Sequence, residues 1–177
     1  MDELINSKQF NANQERFSFR TITIFPVLLF ISAVALNHIF FSAPMVANAI
    51  GVIFHMLMIF VVNRLPAPQW AKAAGYCWVA LDITSGAMSL NNIPPDIALS
   101  VRLGGHVLAA MWIVSSSLLR KPLIIKTLGI VEGLWLALYT FFGSVLPISV
   151  LMPASILIVV WLVILGYKYP TTPQEGN

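Results

Sequence analysis

The chain alternates long apolar runs with short polar breaks. Six of the runs are long enough to cross a hydrocarbon core of ~30 Å as helices. They cover residues 21–42, 45–63, 71–90, 97–119, 123–142 and 148–169. The breaks are built from chain-bending residues: Ala43-Pro44, Leu65-Pro66-Ala67-Pro68-Gln69-Trp70, Asn91-Asn92-Ile93-Pro94-Pro95-Asp96, Arg120-Lys121-Pro122 and Gly143 to Pro147. Pro26 lies near the start of the first run, where a missing amide donor is best tolerated. The pattern predicts an all-α fold, a polytopic membrane bundle of six transmembrane helices. Residues 1–20 would be a polar N-terminal tail, 21–169 the transmembrane domain and 170–177 a polar C-terminal tail.

Composition agrees with that pattern. The chain is 58% hydrophobic and only 10% charged, with a mean hydropathy of +0.84. A soluble domain of this size would need a charged shell that these residues cannot supply. The net charge is +3, which raises the question of nucleic acid, but the basic residues answer it by their placement. Lys8, Arg16, Arg20, Arg64, Lys72, Arg120, Lys121, Lys126 and Lys168 fall on one side of a six-span arrangement, and the opposite loops carry none. This is a topology signal: both termini are expected in the cytoplasm, and no nucleic-acid partner is expected. The expected location is the cell (inner) membrane, multi-pass, in contact with membrane lipid. The single cysteine, Cys77, matches no disulfide, metal or redox spacing and reads as a small packing residue.

The polar residues inside the apolar runs carry the chemistry. His55, Asp82, His106 and Glu132 each lie near the middle of their own run, and Arg102 and His38 lie a turn or more outward. Charges in a bilayer are costly and mark function by default. Small residues accompany them at helical spacing. The second run shows Asn48, Gly51 and His55; the third Trp78, Asp82, Ser85, Gly86 and Ser89. The fourth shows Arg102, Gly105, His106, Ala109, Ile113 and Ser116, and the fifth Gly129, Glu132, Gly133, Leu136, Thr140 and Gly143. Such faces are expected to meet one another. The sixth run holds no ionisable residue before its Tyr167-Lys168-Tyr169 end and is expected at the periphery.

Arg102 is expected to pair with Asp82 or with Glu132, since burying either sign alone is costly. Two acids against one fixed cation leave excess negative charge, which a proton or a bound cation would relieve. Trp78, Trp112, Trp135 and Tyr139 lie within spans and are candidates to wall a pocket. The serines near the acids lack a nucleophile context and are expected to bond backbone carbonyls. No cofactor is expected, and no metal: His55 and His106 alone do not make a haem or metal pattern.

Three functions fit these residues. The leading one is a small membrane transporter or membrane-embedded solute-binding subunit, with Arg102, His106, Asp82, Glu132, His55 and His38 as substrate-binding residues. The ligand would be a small solute or a lipid-like molecule. The second is an intramembrane enzyme acting on a lipid or isoprenoid, with Asp82, His106 and Glu132 as its acid–base set. The third is an assembly factor binding another protein's helices. A chain this short is expected to work as a homo-oligomer or with a protein partner. In size, span number and placement of its termini it resembles the substrate-binding subunits of vitamin-uptake transporters. That likeness is architectural and implies no site residues.

Overall fold

The computed structural model describes residues 19–36, 44–143 and 145–168, and their long elements are all α-helices. The helices are α1 (Phe19–Leu36), α2 (Pro44–Arg64), α3 (Gln69–Leu90), α4 (Pro95–Leu118), α5 (Leu123–Phe142) and α6 (Met152–Lys168), with a 3-10 turn over Ile148–Leu151 before α6. Five of the six, all but α3, are long and apolar enough to cross a membrane. Asp82, Thr84, Ser85 and Ser89 dilute the hydropathy of α3. His38 and both predicted tails, apart from Phe19 and Arg20, lie outside the described residues.

Proline sets the helix starts. Pro44 and Pro95 open α2 and α4, Pro68 and Pro122 immediately precede α3 and α5, and Pro153 is the second residue of α6. At these positions the missing amide costs nothing and the fixed φ suits a helix. The end of α3 is equally specific. Asn92 adopts a left-handed φ of 57°, which Asn tolerates better than most residues. That turn lets Ile93 N–H donate to Met88 O at 3.0 Å and Asn92 N–H to Ser89 O at 3.3 Å, satisfying carbonyls that the helix itself leaves open. Lys72 Nζ does the same for α2, donating to Asn63 O at 2.9 Å.

Helices adjacent in sequence pack as neighbours, from α2 through α6. α1 closes the circle. Its Phe30 ring meets Phe54 of α2 at 5.2 Å, Thr23 lies against Gly166 of α6, and the Arg20 guanidinium sits 4.6 Å from the Tyr167 ring centre. Glycine makes the tightest seam, between α4 and α5: a Cβ on Gly133 would lie 3.1 Å from the Ala110 carbonyl oxygen, and one on Gly129 would run into the Ser117 side chain. Small residues permit this backbone approach where lipid supplies no hydrophobic drive.

One expectation fails here. α6 is not peripheral: Trp161, Leu162 and Leu165 are fully buried, with Ala154 and Ile158 nearly so. A helix that is apolar on every face gives no sign of which side turns inward. The inward side is fixed by Trp161, whose ring meets Trp112 of α4 edge-on at 5.9 Å. Cys77 also differs from its reading as a packing residue, because its side chain is exposed.

Candidate functional site

The ring of helices surrounds a cavity of about 300 Å³ to which all six contribute. His55, Asp82, Arg102, His106 and Glu132, from four helices, all line it. Their depths agree. His55 is the twelfth of 21 residues in α2, Asp82 the fourteenth of 22 in α3, His106 the twelfth of 24 in α4 and Glu132 the tenth of 20 in α5. Arg102 lies one turn before His106, toward the end of α4 that adjoins the end of α3. A polar layer thus crosses the bundle near the middle of its helices.

Asp82 organises one side of the layer. It is 3% exposed and is engaged from three directions. Trp78, one turn earlier on α3, donates its indole N–H to Oδ2 at 2.5 Å. His55 Nε2 of α2 stands 3.0 Å from the same oxygen. Arg102 Nε of α4 lies 3.8 Å from Oδ1. The predicted pairing of Arg102 therefore resolves to Asp82. Gly105 of α4 packs beside it: a Cβ there would be in ordinary van der Waals contact, 3.5 Å from both Asp82 Oδ1 and the Trp78 ring.

The tautomer of His55 follows from its partners. Its Nδ1 lies 2.8 Å from the Gly51 carbonyl oxygen, which can only accept, so Nδ1 carries a hydrogen.

Glu132 and His106 form the contrasting side. Glu132 is 1% exposed and His106 8%. Glu132 Oε2 and His106 Nδ1 are buried with no hydrogen-bond partner. Among the described residues no Lys, Arg or His lies within 4.0 Å of the Glu132 carboxylate. Native structures leave few such groups unsatisfied. Glu132 is thus the acid of the layer that has no cationic partner among the described residues.

The remaining wall is largely apolar: Phe30 and Val34 of α1, Val52 and Phe54 of α2, Leu136 of α5 and Ile158 of α6. Of the four aromatic residues singled out in the sequence, only Trp78 lines the cavity. Trp112 stacks behind it at 5.6 Å. Trp135 points outward and donates to Val150 O at 2.8 Å, and Tyr139 is buried elsewhere. The serines behave as expected: Ser85 donates to Ala98 O, Ser89 to Ser85 O and Ser116 to Ile113 O. Phe30 of α1 and Ser155 of α6 are wall residues that the sequence did not reveal. The only local signal was the Ala154-Ser155 pair, small and polar within an apolar run. The described residues hold no group of three His, Cys, Asp or Glu side chains that could grip a metal ion.

No protein-family model, no curated protein and no solved structure matches the chain. The functional reading therefore rests on the geometry of the cavity.

Proposed function

We propose that the chain is a multi-pass protein of the cell membrane, with cytoplasmic termini, that binds a small organic solute in the central cavity and carries it across or presents it to a partner. The observation that carries this reading is the convergence of five ionisable residues from four helices on one cavity. A purely structural ion pair would need only Asp82 and Arg102. It would not leave Glu132 and His106 unsatisfied against the same space. A cavity with mostly apolar walls and a few convergent polar groups is the usual form of a ligand site. In this reading Asp82 positions the polar layer, and Glu132 and His106 address the solute. An intramembrane acid–base enzyme is the weaker reading, because Trp78 and His55 already occupy Asp82 Oδ2 and Arg102 faces its Oδ1.

The test is native mass spectrometry of the full chain extracted in mild detergent, beside a Gly51→Phe variant. Gly51 lines the cavity and a Cβ there would meet nothing within 4 Å, so a Phe side chain has an open start into the space the solute would take. A small-molecule mass retained by the parent chain and lost in Gly51→Phe supports the reading. A retained protein subunit, insensitive to Gly51→Phe and without any small molecule, overturns it in favour of an assembly factor.

A further inference from the structure

The cavity has two carboxylates in different circumstances. Asp82 Oδ2 is engaged by Trp78 and His55, and its Oδ1 faces Arg102 Nε at 3.8 Å without a hydrogen bond. Glu132, in the middle of α5, has neither an ion pair nor a partner for Oε2. A carboxylate alone at such depth is costly, so its charge must be neutralised by a proton or by a cation entering the cavity.

We infer that the solute is a small organic cation, an ammonium on an apolar body, whose charge replaces the proton at Glu132. The inference rests on the cavity being a solute site. Four observations select the cation over an anion. Arg102, the one permanent cation among the described lining residues, already faces Asp82 at 3.8 Å, so an anion would have to compete for it. The lone group is acidic. The wall includes Phe30, Phe54 and Trp78, and aromatic faces attract cations. His106 Nδ1 is a second unpartnered site, and an ammonium has several N–H groups to offer. An inorganic ion fits less well, because it demands a cage of oxygen ligands. No cluster of three acidic, His or Cys groups surrounds Glu132 among the described residues.

The binding is an exchange. One proton leaves Glu132 as one monovalent cation arrives, so the charge of the cavity is unchanged. The other groups on its wall are His55 and Asn48 from α2, Asp82 from α3, Arg102 and His106 from α4 and Ser155 from α6, with no titratable residue from α1. His55 and Arg102 both face Asp82, which leaves Glu132 as the acid that proton and ligand share.

The experiment titrates the full chain in lipid nanodiscs with benzylammonium, benzoate and benzyl alcohol, which share one apolar body. Binding is followed by tryptophan fluorescence at a mildly acidic and a mildly basic pH. Benzylammonium should bind tightest. Its affinity should rise with pH, by up to about tenfold per unit where the proton competes, because one proton is released. Glu132→Gln should lose benzylammonium binding at least tenfold, together with its pH dependence, while benzyl alcohol binding persists. Glu132→Asp, which keeps the carboxylate, should retain the pH dependence. It also carries the test if Glu132→Gln does not fold. Tighter binding of benzoate, or pH-independent binding of benzylammonium, overturns the cation proposal and leaves the solute cavity standing. Saturable binding of all three probes that is unaffected by Gly51→Phe, or no saturable binding at all, overturns the cavity reading itself and the cation proposal with it.

Discussion

His55 Nε2 stands 3.0 Å from Asp82 Oδ2, while the other nitrogen of the same ring is held 2.8 Å from the Gly51 carbonyl. The imidazole thereby bolts α2 to α3 at the depth where a carboxylate is hardest to bury. Removing the carboxylate strands two donors at once, the His55 ring and the Trp78 indole, and takes the counter-charge from Arg102. Asp82→Ala should therefore destabilise the bundle by about 3 kcal/mol, the scale of breaking a buried charged pair. His55→Ala should cost less, about 1–2 kcal/mol. Arg102→Ala should cost least, because its side chain is 39% exposed and its Nε is 3.8 Å away. Thermal unfolding in one detergent checks the order, and a costlier Arg102→Ala would contradict it.

The glycines divide into two classes with opposite expected signs. Gly51 is helical and open, so Gly51→Ala should stabilise by about 0.5–1 kcal/mol through reduced chain entropy. Gly133→Ala would push a methyl into Val114 and against the Ala110 carbonyl oxygen, and Gly129→Ala would collide with Ser117. Each should lose about 1–3 kcal/mol, the usual cost of overpacking. Equilibrium unfolding of the three variants tests whether the α4–α5 seam is as tight as its geometry.

α3 is the helix least apolar by composition, and Cys77 reports on its surroundings. The thiol is exposed on the ninth residue of α3 and is the chain's one cysteine. With α3 embedded, a charged, water-soluble maleimide should leave Cys77 unmodified in intact bilayers and modify it after denaturation in detergent. Rapid labelling in the bilayer would remove α3 from the set of spanning helices.

Orientation can be read with the same reagent. In a Cys77→Ser background, a cysteine replacing Ile93, between α3 and α4, should react from outside intact cells. One replacing Lys121, between α4 and α5, should react only after permeabilisation. The reverse result would invert the topology drawn from the basic residues.

Much of this site was legible from position alone. A lone ionisable residue near the middle of each of four apolar runs can be read from the chain, and helical spacing placed Gly51, Gly86 and Gly133 on the same faces. The choice between Asp82 and Glu132 as partner of Arg102 was not legible. It depends on helix rotations of a few tens of degrees, which spacing does not record. α6 was misplaced for the complementary reason: with Ser155 its one polar side chain before Tyr167, its composition barely marks an inward side, which the fit of Trp161 against Trp112 decides. Trp78 illustrates both cases. Its spacing to Asp82 permits the indole bond, yet nothing in the order of residues separates it from the outward-facing Trp135.

The ring of helices has a consequence for how the molecule is made. Every helix from α2 onward rests on the one synthesised just before it, and the partners of Asp82 reside on α2, α3 and α4. Because chains emerge from the N-terminus, the aspartate is cared for as soon as α4 has entered the bilayer. The contacts of Thr23 with Gly166 and of Arg20 with Tyr167 must wait for the last turns of α6. A ribosome stalled before Trp161 would leave an open crescent without the contacts that join α1 to α6, a form that quality control could distinguish from the finished protein.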